Sequence, residues 1–117
     1  MALTVIDDSA TIGASEYSLP ADTTSGVPTS QTDDSYLQVW IDFGAMVAGD
    51  QYRVRLYEKV NGTGATQRLV DEWILTGAQS KPAFVMPPVF VCHGWDVTVT
   101  RLAGSDRSIG WSLRKVT

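Results

Sequence analysis

One histidine, one cysteine and two adjacent aspartate pairs are the residues of this 117-residue chain best suited to chemistry. Cys92 and His93 are neighbours, and neighbours on an extended strand project to opposite faces, so the imidazole cannot serve the thiol. No Cys-x-x-Cys or His-x-x-x-His spacing completes a tetrahedral metal site around them. Cys92 follows Val89, Phe90 and Val91 and reads as a small buried hydrophobe, and a single cysteine excludes an internal disulfide. The Asp7-Asp8 and Asp33-Asp34 pairs carry the oxygens a hard cation wants, but neither sits in the Asp-x-Asp-x-Asp-Gly pattern of a calcium loop. Gly62-Thr63-Gly64 has the glycines of a phosphate loop without a following helix to aim its dipole, and Asn61-Gly62-Thr63 fits a glycosylation acceptor; both read as a turn. With no convergent acid, base and nucleophile, the expectation is a protein without catalytic residues, cofactor or metal.

Chain length and charge narrow the classes further. A chain of this length makes one domain that buries roughly 65% of its unfolded surface. Hydrophobic residues make up 44% of it, including Trp40, Trp73, Trp95 and Trp111, whereas charged residues reach only 19%, below a globular average of about 25%. Protein contact is expected to replace some of that polar surface. No apolar run of about twenty residues and no basic-then-apolar start exists, so neither a membrane span nor a secretory leader is expected, and synthesis in a cytoplasm is. Residues 1–50 hold eight acids and no Lys or Arg, while residues 51–117 hold nine bases against five acids. The acidic half would repel phosphates, which argues against nucleic acid, and the two halves can neutralise each other within one subunit or between neighbouring ones.

The elements that must position these residues are strands. From Asp50 to Val60, Tyr52, Val54, Leu56 and Val60 share one parity, and Gln51, Arg53, Arg55 and Lys59 share the other. That is a ribbon with one buried face. The pattern recurs at Leu37–Phe43 and Ile109–Leu113; strands are also read at Tyr36–Phe43 and Gln67–Leu75, with shorter runs at Leu3–Ile6, Glu16–Leu19, Ala83–Met86 and Val89–Cys92. Asn61-Gly62-Thr63-Gly64 predicts a hairpin turn, and Pro87-Pro88 marks a strand end or sheet edge. Trp95–Leu102 and Ser108–Val116 read as a second hairpin around residues 103–107. No stretch has helical spacing, so the fold class is all-β, an antiparallel sandwich of jelly-roll type. Its core is expected over residues 36–117. Residues 1–35 form an N-terminal arm and a long polar loop of the same domain, with residues 20–35 either a contact arm or a flexible excursion.

The faces opposite the apolar ones carry a second signal. Tyr36 and Trp40 share a parity, as do Arg53, Arg55 and Tyr57. If the two strands are sheet neighbours, these five form one aromatic and arginine surface of the composition enriched at protein interfaces. Sugar stacking on Trp40 and Tyr36 is the competing use of the same surface.

Residues 48–59 (Ala-Gly-Asp-Gln-Tyr-Arg-Val-Arg-Leu-Tyr-Glu-Lys), then Thr76-Gly77-Ala78-Gln79, Pro87-Pro88 and Leu102–Ile109, resemble small all-β structural proteins of tailed bacteriophages. The likeness covers residues 36–117 and lies in turns and strands. It implies a capsid decoration or cement protein on the head surface of a virion, a homotrimer bound to the major capsid protein. Tyr36, Trp40, Arg53, Arg55 and Tyr57 would then meet other subunits, and Leu3, Val5, Asp7, Asp8, Val27, Asp33 and Asp34 would touch the shell. The alternative it leaves open is a tail or fibre module that binds a host surface glycan.

Overall fold

The computed structural model describes residues 2–63 and 65–117. Among them, nine strands form: β1 (Leu3–Ile12), β2 (Tyr17–Ser18), β3 (Ser35–Asp42), β4 (Gln51–Glu58), β5 (Arg68–Thr76), β6 (Ala83–Val85), β7 (Val89–Val91), β8 (Trp95–Ala103) and β9 (Arg107–Val116). They build two antiparallel sheets. Sheet A runs β1-β9-β3 and ends on β6 and β7, which share the far edge of β3; sheet B runs β2-β8-β4-β5. Apart from β4 to β5 and β6 to β7, every step along the chain crosses from one sheet to the other. That alternation produces the double-sheet jelly roll expected from the sequence.

Alternation of side chains fills the space between the sheets. Sheet A contributes Leu37, Val39 and Ile41 with Ile109 and Leu113, and sheet B contributes Tyr52, Val54, Leu56, Trp95, Val97 and Val99, all buried in one cluster. Aromatic pairs close both flanks: Tyr17 meets Trp111 edge-on at 5.7 Å on one side, and Trp73 meets Phe84 at 5.6 Å on the other. Such pairs prefer tilted contact because a ring's edge is positive and its face negative.

Three expectations change here. The β8 and β9 segments are strands, but each lies in a different sheet, so residues 103–107 turn a corner between sheets rather than closing a hairpin. Inward-facing apolar residues on two successive strands look alike whether they sit side by side or face each other across a core. The β4–β5 hairpin forms as expected, but its strands pair only as far as Glu58 opposite Arg68, so the connection spans residues 59–67 rather than 61–66. The core is also not confined to residues 36–117. β1 is a full ten-residue strand, β2 is the edge of sheet B, and Ile12 and Leu19 are buried.

Pro87-Pro88 acts as foreseen, at an edge. Trp40 faces Val85 and Leu37 faces Val89, so four steps on the edge match three on β3. The extra residue is a bulge, where a ring without an N–H costs no ladder bond.

Polar contacts fix the end of the sandwich. The Asp50 carboxylate accepts from Arg107 Nε at 2.8 Å, from the Val47 N–H at 3.0 Å and from the Ser105 N–H at 3.2 Å, joining the β3–β4 and β8–β9 connections. A Cβ on Gly104, whose φ is +86°, would collide with that carboxylate. Nearby, the Tyr52 hydroxyl reaches the carbonyls of Ile12 at 2.9 Å and Ser105 at 3.0 Å from inside the core.

Two outcomes are expected. Tyr52→Phe leaves the ring packed and strips the hydroxyl from two inward carbonyls, which lowers unfolding free energy by about 1–2 kcal/mol in chemical denaturation. The Arg107 guanidinium, helped by the Val47 N–H, holds the Asp50 carboxyl at about 2 against an ordinary 3.8. A depressed carboxyl contributes stability above its unfolded value and loses it as pH falls toward the folded one. Acid titration should therefore show a loss of stability between about pH 4 and 2 that Asp50→Asn removes.

Candidate interaction surface

The two outer faces of the sandwich differ in what covers them. On sheet B, Asp96, Thr98 and Thr100 of β8 point outward yet are buried. Residues 13–31 lie over them. Glu16 accepts from Tyr57 Oη at 2.7 Å and from Thr98 Oγ1 at 2.5 Å. Asp96 accepts from Ser18 Oγ and from the Thr29 N–H, each at 2.7 Å. Gln67 Nε2 donates to the Thr29 carbonyl at 2.7 Å, and Gln31 and Trp95 exchange backbone bonds at 2.8 and 2.9 Å. The segment leading into β3 is thus a strap held on its own domain through Thr29, Gln31 and Asp33. Burial raises the Asp96 carboxyl above its usual range, and burial followed by the Glu16 hydrogen bond raises the Tyr57 hydroxyl.

Among the described residues, sheet A has no such cover. Its register places Leu3 opposite Val116, Val116 opposite Tyr36, and Tyr36 opposite Phe90. Four apolar side chains therefore line up across four strands on the outer face. Phe90 is 77% exposed and Leu3 65%, and the Tyr36 and Phe90 rings touch at 4.8 Å between centroids. Beside the row lies a shallow depression of about 190 Å³ bordered by Leu3, Tyr36, Gln38, Pro88, Arg114 and Val116. Trp40 lies farther along β3, with the Arg114 guanidinium 4.0 Å above its ring and its Nε1 donating to Gln38 Oε1 at 2.9 Å.

The five residues expected to share one surface do not meet. Tyr36 and Trp40 lie on β3 in sheet A, and Arg53, Arg55 and Tyr57 lie on β4 in sheet B, so the two sets face opposite sides of the molecule. β3 and β4 are consecutive and similarly patterned, but the connection between them crosses the sandwich. Tyr57 is buried under Glu16, while Arg55 pairs with Glu72 at 2.6 Å. Of the residues expected to touch a shell, Leu3, Val5, Asp7 and Asp8 lie exposed on β1, and Val27 lies in the strap. Asp33 is engaged by Lys115 at 3.0 Å, and Asp34 is exposed beside it. The Asp33–Lys115 and Asp50–Arg107 pairs join the acidic half of the chain to the basic half, as the charge asymmetry anticipated.

Phe90, Val116 and Arg114 escaped the sequence reading. Phe90 sits between two inward valines, and only the bulge register reveals that it stands beside Tyr36. Cys92 is exposed rather than buried, because β7 ends at Val91. Its N–H and that of His93 donate to the Glu58 carboxylate at 2.8 and 3.3 Å. Among the described residues, no three His, Cys, Asp or Glu side chains cluster closely enough to share an ion. Comparison with protein-family models, with curated proteins and with solved structures finds no match to this chain.

The buried Asp96 generates a prediction with the opposite sign to that of Asp50. A carboxyl whose folded value is raised is favoured protonated, so its contribution to stability is greatest below the unfolded value of 3.8 and declines as pH rises through the raised one. Asp96→Asn keeps an acceptor for the Thr29 N–H, and the Ser18 hydroxyl can turn to accept from the amide. The variant should lose less stability than the native protein between pH 4 and 8, measured by urea midpoints across that range.

Proposed function

We propose that this protein is a structural component of a virion, a capsid decoration or cement subunit that binds the major capsid protein through the outer face of sheet A. The observation that carries this reading is the uncovered row of Leu3, Val116, Tyr36 and Phe90 on a sandwich whose other outer face is covered over β8 by its own strap. Removing such a row from water yields about 25 cal/mol per Å² of apolar surface, a gain repeated at every copy on a particle. The jelly roll supports the reading as a scaffold used in viral shells, although lectins and cupins use it too. The turn and strand pattern of residues 36–117 points the same way. Trp40 already carries Arg114 on its ring, which favours protein docking over sugar stacking at this face.

Empty head shells incubated with the protein provide the test. Tyr36→Ala combined with Phe90→Asp should weaken shell binding at least about 30-fold, since buried aromatic anchors are each worth about 2 kcal/mol or more. The same variant should also abolish any rise in shell melting temperature. Ile74→Asp, on the outer face of sheet B, should leave binding unchanged. Native-like occupancy by the double variant would overturn the reading.

A further inference from the structure

The two sheets have four edges among the described residues, and three of them are blunted against pairing with another chain. β6 and β7 are interrupted by Pro87-Pro88. β2 is two residues long, with Ser18 bridged to Thr23 on its outer side. β5 carries a bulge opposite Leu56 and Tyr57 and places Asp71 and Glu72 in its middle. These are the devices by which proteins keep sheets from joining.

β1 is not short, bulged or broken by proline, and its acids, Asp7 and Asp8, lie beyond its first four residues, Leu3 to Ile6. Its ten residues pair with β9 without a break, contain no proline or lysine, and among the described residues meet no strand on the other side. Its first half is bare on both faces as well. Val5 on the outer face is 48% exposed, and Ile6, which faces inward, is 42% exposed because β2 is too short to reach it.

The hydrogen-bond phase says which groups are unused. Ala2 and Thr117 exchange backbone bonds, the Ala2 N–H donating at 3.4 Å and the Thr117 N–H at 3.2 Å. In an antiparallel ladder such mutually bonded pairs alternate with pairs whose N–H and C=O point away. Even-numbered residues of β1 therefore bond β9, and Leu3, Val5 and Asp7 aim their backbone groups at the open edge.

We infer that β1 pairs antiparallel with β1 of a second copy around a two-fold axis at Thr4. Side chains directly opposite one another must share a face, so a two-fold perpendicular to the sheet has to pass through a residue. Centred on Thr4, Leu3 faces Val5 of the second copy and Val5 faces its Leu3. Each pair is joined by two backbone bonds and packs apolar side chains on the outer face. Ala2 faces Ile6 of the second copy on the inner side. Asp7 lies outside the paired segment, about 20 Å along the strand from its symmetry mate and beyond a Debye length of about 8 Å. Moving the axis to Val5 places Leu3 against Asp7, and moving it to Asp7 or Asp8 places an acid directly against its own copy. An axis at Ile6 sets Val5 against Asp7 and Thr4 against Asp8, so among the axes from Thr4 to Asp8 only the one at Thr4 keeps the acids out of the paired segment. The result is a sheet continuous through both subunits, along which the rows containing Phe90, Tyr36, Val116 and Leu3 run together.

The pairing is read on the free protein, so it stands or falls separately from shell docking. Sedimentation equilibrium of the full chain from micromolar to near-millimolar concentration should show a dimer. Val5→Pro removes an N–H that points only at the open edge, so it should yield a monomer with an unchanged circular dichroism spectrum. In a Cys92→Ser background, Thr4→Cys places two thiols on the axis in a non-hydrogen-bonded pair, where Cα atoms approach to about 4.5 Å and a disulfide fits. It should oxidise to a covalent dimer at least about tenfold faster than Ile6→Cys, whose own copies are kept about 13 Å apart by the register. A native monomer, a trimer as the family resemblance implied, or Ile6→Cys trapping as fast as Thr4→Cys would each overturn the inference.

Discussion

Burial of a single apolar layer between the two sheets is the interaction on which the remaining structure depends. Trp95, Tyr52 and the valines and leucines beside them come alternately from sheet A and sheet B, so neither sheet can hide its inner face without the other. Sheets packed this way leave a core about 10 Å thick, in which every inward position must be filled. Tyr17 against Trp111 and Trp73 against Phe84 seal the flanks where the edge strands would otherwise admit water. The polar tie at Asp50 then fixes how the connections leave the end of that layer.

Given that layer, two outer faces remain, and the chain treats them differently. Over sheet B it lays Glu16 and the strap, whose hydrogen bonds satisfy the Asp96 carboxylate and the Thr98 and Tyr57 hydroxyls. A buried carboxylate such as Asp96 is costly unless it is well bonded, so the strap and the polar row beneath it are mutually required. Among the described residues, sheet A receives no comparable cover, and its outward face includes two stacked pairs, Phe90 on Tyr36 and Arg114 on Trp40, beside polar Asp7, Gln38 and Ser112. An apolar row that the chain itself leaves bare is what a surface reserved for other protein looks like. The unblunted edge of β1 lies at the end of the same row, so face and edge form one continuous region.

Much of the fold was legible in the sequence because the strand period is two and the chain obeys it. Gln51–Glu58 and Ser35–Asp42 lie within a residue or two of the spans that alternation predicts, and the edge position of Pro87-Pro88 follows from the missing N–H. The candidate surface was legible only in part. Tyr36 and Trp40 are outward as their parity demands, but their supposed partners Arg53 and Arg55 lie on the far side of the molecule.

Alternation alone thus determined the all-β class, most strand positions and which side chains of each strand point inward, because parity is a local property of extended backbone. Which strands are neighbours was decided by tertiary structure, because strands facing across a core and strands paired in one sheet present the same inward pattern. The inward residues of β8 and β9 therefore belong to facing sheets rather than to one hairpin, and Phe90 comes to stand beside Tyr36 through a bulge that no local signal positions. The covering of sheet B likewise awaited the fold: a polar stretch rich in Ser, Thr and Pro becomes an ordered strap only where the Asp96 carboxylate and the Trp95 backbone are presented to it.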